Sequence, residues 1–406
     1  MHKTSQLIHT LPNGLQLLGE ISPNRQSAAL GYFVKTGARD ENTKEAGISH
    51  FLEHMVFKGT KKRSALDITY QLGNIGAQAN AYTSEELTVY YAAILPEYLK
   101  NFQELLTDML YPALDPQEFD TEKKVIIEEI ALYQDRPSYY LYEKAVADFF
   151  SGNTVGNSVI GTPDSVSGIT VEDMRNYHAR RYSPSNIILV ATGKFDWDKF
   201  VQDAEKLTTA WESKEVLRSY ADHQINVTQK TFTKANLNQA HLMFVSKGAA
   251  AQDEERFALG LLALILGDST GSKFYWELLD KGLVDSVGAD NEEKDQAAYF
   301  MSYASTDLDK LDLVSSIFRK ILSNPMDFTD AELARAKSKL LTRIVLSGEL
   351  PMSRLMALGT AWVYRKEFHT LQTSIDKIKS VTKSDIEKAV KKYEINKYSE
   401  YCLIPE

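Results

Sequence analysis

At 406 residues the chain is longer than one ordinary hydrophobic core can organise, so at least two compact units are expected. A composition of 43% hydrophobic and 25% charged residues, with 21 Tyr, 17 Phe and 4 Trp, is that of a globular protein and excludes a disordered one. The net charge of −9 excludes a broad nucleic-acid surface, and a single cysteine, Cys402, excludes both an intrachain disulfide and a thiolate metal cluster.

The first seven residues hold no apolar stretch suited to a signal sequence, and no run of 18 apolar residues occurs anywhere. A soluble, cytoplasmic protein with no membrane or nucleic-acid partner is expected. The one basic run, Lys61-Lys62-Arg63, reads as a solvated loop.

Residues 28–34 (AALGYFV) predict a buried strand closed by Gly37, followed by a polar stretch and an apolar-periodic helix beginning near Lys44. Further helices are predicted over about 97–110, 117–134 and 138–150, with a strand at 186–191. The polar stretch 211–229 reads as a linker. Beyond it, residues 240–245 predict a strand closed by Gly248, a polar stretch at 252–255 and a helix over 256–266, which repeats the plan of the first half. Helices near 308–323, 329–348 and 373–393 complete the second half. The expected fold class is α+β, with two homologous lobes that are each an antiparallel sheet backed by helices. The domains are set at 1–215 for an N-terminal lobe, 216–229 for the linker and 230–406 for a C-terminal lobe of similar fold.

The chemistry sits in Gly47-Ile48-Ser49-His50-Phe51-Leu52-Glu53-His54. His50 and His54 are four apart and share one helical face, which Glu53 flanks. Neutral imidazoles suit zinc, and zinc held by three protein groups lowers the pKa of a water in its open position toward ~7. Glu53 is then placed as the general base, in the H-x-x-E-H order of the inverzincins. The third ligand must be a carboxylate further on. Glu122 and Glu129 lie seven apart on one face of the 117–134 helix, with Glu128 rotated away, so Glu129 is assigned as ligand and Glu122 as the group that orients the site.

Three segments, GISHFLEHMVFKGT at 47–60, ANAYT at 79–83 and EKKVIIEE at 122–129, resemble the pitrilysin and insulysin family of zinc peptidases. The likeness is strongest to its short members, the catalytic subunit of mitochondrial processing peptidase and bacterial relatives. Weaker echoes occur at 159–162 and 182–186. The resemblance implies a zinc metalloendopeptidase acting on small or unfolded peptides, with one Zn2+ per chain on His50, His54 and Glu129, Glu53 as base and Glu122 in support. It also implies a half clam-shell that short chains complete by pairing, so a homodimer is expected, with a heterodimer with a related subunit as the alternative. The family's substrate strand falls on Ala79, Asn80, Ala81 and Tyr82, where small and polar side chains would let a peptide backbone pair by strand addition.

Aligning Gly37 with Gly248 sets Leu261, Leu264 and Ile265 against His50, Glu53 and His54, so the second half has no metal site of this kind. Many active relatives carry an Arg and a Tyr seven apart in their second half, and here Leu279 and Asp285 stand at the corresponding places. Lys273, Tyr275 and Tyr303 carry donors nearby, but each reads as a packing or surface residue and none is assigned to the site. Two other readings follow: a weakly active subunit that needs a second chain to supply the pair, or a scaffold of the same fold.

Overall fold

A computed structural model describes residues 5–218, 220, 227–368 and 370–406. In chain order the first half forms β1 (Ser5–Thr10), β2 (Gln16–Ile21), β3 (Ala28–Val34), α1 (Ile48–Val56), α2 (Ala65–Asn74), β4 (Gln78–Thr83) and β5 (Thr88–Ile94). Then follow α3 (Leu99–Met109), α4 (Pro116–Gln134), α5 (Pro137–Phe149), α6 (Pro163–Gly168), α7 (Val171–Arg181), β6 (Ile187–Gly193) and α8 (Trp197–Thr208). The second half forms β7 (Gln229–Lys234), β8 (Ala240–Lys247), α9 (Arg256–Gly267), β9 (Ser286–Lys294), β10 (Ala297–Thr306) and α10 (Leu311–Ser323). It ends with α11 (Asp330–Gly348), α12 (Pro351–Arg365), α13 (Leu371–Ser380), α14 (Lys383–Tyr393) and β11 (Ser399–Pro405). Among the described residues no helix is long and apolar enough to cross a membrane.

The chain divides into two α+β units. The first takes Met1–Ala131, Asn157–Ser219 and Leu346–His369, and the second Leu132–Gly156, Tyr220–Val345 and Thr370–Glu406. Each unit thus holds a helix from the other half of the sequence, α12 in the first and α5 in the second. Of the linker expected at 216–229, residues 219 and 221–226 lie outside the described residues.

In the first unit six strands run in the order β1-β2-β6-β3-β5-β4. β3 and β6 are buried along their whole length, which explains their unbroken apolar sequence: central strands covered on both faces need no polar alternation. On one face Leu18, Ala29, Phe33, Val89, Ile188 and Val190 meet Leu355, Leu358, Trp362 and Val363 of α12. A Cβ at Gly359 would come within 2.3 Å of the Phe33 ring, so only glycine lets α12 lie this close to β3. A buried pair, Arg354 to Glu20 at 2.6 and 2.7 Å, ties the same helix to β2.

The second unit has five strands in the order β7-β11-β8-β10-β9. Leu141, Ala145, Val146 and Phe149 of α5 pack with Met243, Val245, Tyr299, Tyr401 and Leu403, while Leu242, Phe244, Phe300 and Ala304 belong to the larger core with α9 and α10. The strand orders of the units match once β1 is set aside, and β9 stands where β4 stands, at one edge.

Several expectations are corrected. The sheets are mixed and not purely antiparallel, because β6 pairs parallel with β2 and β11 parallel with β7. Each of these strands arrives after a long helical connection, which permits parallel pairing. The helix expected from Lys44 begins at Ile48: residues 43–45 make a separate 3-10 turn, and Gly47 at φ +91° breaks the run. The helix expected over 373–393 is two, since Thr382 caps α14 by accepting from the Asp385 N–H. Apolar spacing does not predict α12 at all.

Candidate metal centre

The site lies in the first unit, on α1 and α4. Helix α1 starts where Gly47 turns left-handed; a Cβ there would meet the Ile160 carbonyl at 2.8 Å, and one at Gly161 would meet the Ala46 carbonyl at 2.6 Å, so both segments in contact need glycine. Glu41, 4% exposed, accepts from the N–H groups of Gly47 and Ser49, both at 2.8 Å, and so satisfies two donors at the helix start. Burial pushes the Glu41 carboxyl up to about 7, against the hydrogen bonds from Ser49 and Gly47 that favour its ionised form.

Helix α4 presents Phe119, Glu122, Ile126, Glu129 and Ile130 at helical spacing toward α1 and its surroundings. Phe51 stacks on Phe119 with ring centroids 4.4 Å apart, one aromatic contact between the two helices. One turn further along, the polar groups meet. His54 Nδ1 and Glu122 Oε1 are 2.8 Å apart, and Lys58 Nζ lies 2.5 Å from Glu122 Oε2. Burial works against the Glu122 carboxylate, but the hydrogen bonds from His54 and Lys58 outweigh it and its pKa is lowered.

With Nδ1 of His54 donating to Glu122, its Nε2 carries the lone pair. That Nε2 lies 3.3 Å from His50 Nε2 and 3.5 Å from Glu129 Oε2, and His50 Nε2 lies 3.9 Å from the same oxygen. Donor atoms bound tetrahedrally at ~2.0–2.1 Å from one ion are about 3.3–3.4 Å apart, so this triangle fits zinc. His50, His54 and Glu129 are the group among the described residues that could hold a metal ion. Burial, reinforced by His54, pulls His50 down to about 3, which leaves it a neutral imidazole. Burial also opposes a charge on His54, yet the Glu122 hydrogen bond and the charges of Glu129 and Glu53 raise its pKa.

Glu53 sits on the same helix. Its Oε2 accepts from the Thr83 hydroxyl at 2.6 Å. Burial raises its pKa, with Thr83 and His54 acting to lower it and Glu129 to raise it. Thr83 ends β4, an edge of the sheet that among the described residues pairs with β5 alone. Ala79, Asn80, Ala81 and Tyr82 are the residues of this edge, with Gln78 and Asn80 exposed and Ala79, Ala81 and Tyr82 half-buried. The Asn80 side chain accepts from the Ala81 N–H at 2.9 Å.

In the second unit Leu261 and Ile265 are buried in the apolar core and Leu264 packs against it. Leu279 packs against that core, and Asp285 accepts from the Gln239 amide. Lys273 pairs with Glu332 at 3.2 Å, Tyr275 stands edge-on to Trp276, and the Tyr303 hydroxyl meets His241 Nδ1 at 2.9 Å.

Three functional neighbours lie outside the sequence expectation. Lys58 lies just past the end of α1, beyond its C-cap Phe57, so helical spacing from His54 does not point to it. Thr83 closes the ANAYT segment, but nothing in that segment assigns it to Glu53, and Glu41 has no local signal.

Residues 17–163 match the family description "Insulinase (Peptidase family M16)" and residues 168–340 match "Peptidase M16 inactive domain". A protein of Streptomyces coelicolor described as an uncharacterized zinc protease is 31% identical over 391 residues, covering 93% of this chain and 84% of that one. The chain belongs to peptidase family M16. A second relative, described as an uncharacterized zinc protease of Bacillus subtilis, is 29% identical over 92% of each chain. The crystal structure of a protease from Helicobacter pylori superposes with a TM-score of 0.91 at 21% identity, over 99% of this chain and 100% of that one, which shows the shared M16 fold. The description of the second region as an inactive domain agrees with the aliphatic residues at 261, 264 and 265.

Proposed function

We propose that the chain is a zinc metalloendopeptidase that hydrolyses small or unfolded peptides, with one zinc held by His50, His54 and Glu129. The observation that carries this reading is the convergence of two imidazole nitrogens and a carboxylate oxygen at 3.3–3.9 Å. When bound there, zinc would polarise the scissile carbonyl and lower the pKa of a water. Glu53 takes the proton of the attacking water and returns it to the leaving amine. Glu122 holds His54 in the tautomer whose Nε2 is free to bind, and Lys58 holds Glu122. The peptide backbone adds to the open edge of β4, so affinity comes from main-chain hydrogen bonds that do not depend on sequence.

A second reading is that efficient hydrolysis needs another chain, identical or related, to supply donors to the developing oxyanion. Leu279, packed against the core, and Asp285, paired with Gln239, favour it, because neither side chain can donate to an oxyanion. Losing one such donor costs about 100- to 1000-fold in rate.

The test is elemental analysis of the purified protein together with cleavage of a quenched fluorescent unfolded peptide. About one zinc per chain and cleavage abolished in a Glu53→Gln variant that keeps its zinc are the expected results. Less than about half an equivalent of zinc, without recovery on adding it, would turn the assignment to a scaffold. Cleavage that rises only when a related chain is added would select the second reading.

A further inference from the structure

We propose that Thr83 is a positioning residue for the general base: its hydroxyl fixes the Glu53 carboxylate so that one oxygen, Oε1, is presented for proton transfer, and it ties that base to the peptide-binding edge. The proposal rests on the zinc-peptidase reading above for its catalytic consequence, and on geometry alone for the positioning itself.

The contact is a short one. At 2.6 Å, Thr83 Oγ1 to Glu53 Oε2 falls in the range of charge-assisted O–H···O⁻ bonds, about 2.5–2.7 Å. A hydroxyl has one proton, so it engages one carboxylate oxygen and sets the plane of the group. Among the described residues Oε1 of Glu53 accepts no hydrogen bond, so it is the oxygen left to take a proton. Threonine suits the task because its branched Cβ restricts χ1 and holds the hydroxyl in place.

Thr83 is itself held on both sides. It pairs with Thr88 in β5, and the turn that follows is closed by Ser84 N–H to the Leu87 carbonyl at 2.7 Å and by Leu87 N–H to Ser84 Oγ at 3.0 Å. The turn is anchored in turn to the sheet's neighbours: Arg39 N–H donates to the Glu85 carbonyl at 2.7 Å, Arg39 makes a buried ion pair with Glu86, and Arg218 donates to the Glu86 carbonyl at 2.7 Å. The hydroxyl is therefore a fixed point on β4. A peptide laid along β4 and a base held by β4 then share one frame, so binding and base alignment are set by the same strand.

The experiment compares wild type with Thr83→Val, which keeps the branched shape and removes the hydroxyl, and Thr83→Ser, which keeps the hydroxyl. Crystal structures of the metal-free proteins read the positioning directly, and steady-state kinetics with zinc content read its consequence. Expected are one ordered Glu53 conformer in wild type and the serine variant and several in the valine variant. The valine variant should lose about 10- to 100-fold in kcat, the scale of a misplaced catalytic group, with KM and zinc stoichiometry within about twofold of wild type. The serine variant should recover most of that loss.

An ordered, unmoved Glu53 in the valine variant would overturn the proposal. So would a loss that falls on KM or on zinc content, or a serine variant no better than valine. If the valine variant does not fold, Thr83→Ala against Thr83→Ser carries the same comparison. If zinc-loaded wild type cleaves nothing, the peptidase reading fails, while the crystal structures still decide whether Thr83 orders Glu53.

Discussion

Glu122 links His54 on α1 to Lys58 just past the end of that helix, with one oxygen 2.8 Å from His54 Nδ1 and the other 2.5 Å from Lys58 Nζ. The carboxylate is 5% exposed, so these two partners account for its charge where solvent does little. A group that holds a metal ligand's second nitrogen typically governs affinity by about 10- to 100-fold. Glu122→Gln should therefore weaken zinc binding by that factor in a chelator competition, and Lys58→Met should weaken it less. Unchanged affinity in the glutamine variant would remove Glu122 from the site.

Three electron-rich atoms meeting without a cation repel one another, so the ion should stabilise the fold. A ligand at a hundred times its Kd adds about 2.7 kcal/mol. Treatment with a chelator should lower Tm, and added zinc should restore it. In a Glu129→Ala variant the chelator should have far less effect. Equal chelator sensitivity in wild type and variant would show that the metal binds elsewhere.

Glu41 accepts from Gly47 and Ser49 at the start of α1. Removing it leaves two buried N–H groups of the helix that bears His50 and His54 without these acceptors. Glu41→Ala should cost about 1–3 kcal/mol in urea unfolding, the penalty for buried donors left unmet. Glu41→Gln retains one acceptor and should cost less. A neutral alanine variant would mean that the helix start is satisfied in another way.

His178, against Tyr182 and Tyr111, is kept neutral by burial, which lowers its pKa although the Leu110 carbonyl at 2.7 Å favours the charged form. As pH falls through the unfolded value of 6.5 the unfolded chain takes up a proton that the folded one refuses, so stability is lost below that pH until the folded pKa is reached. Metal-free protein should thus unfold more easily at pH 5.5 than at pH 8, and His178→Gln should flatten part of that slope. A slope untouched by the substitution would assign it to other groups.

The local parts of the site were legible because a helix repeats every 3.6 residues: His50, Glu53 and His54 had to share a side, as did Glu122 and Glu129 seven residues apart. Apolar runs likewise marked β3, β6 and β8 as strands, the first of them buried. Helix ends were less legible. Gly47 at φ +91° stops a run that apolar spacing alone would carry back to Lys44, and Thr382 splits another where two helices share one amphipathic pattern.

Sequence by itself determined an α+β repeat, the residue types for a metal in the first half, and their loss in the second. Tertiary structure alone decided that α5 and α12 cover sheets of the opposite sequence halves, that each sheet takes one parallel pair, and that Thr83 and Glu41 reach α1. Spacing along a helix is a property of neighbouring residues, whereas strand order and cross-chain hydrogen bonds depend on which distant segments bury each other's surface, and no local pattern encodes that choice.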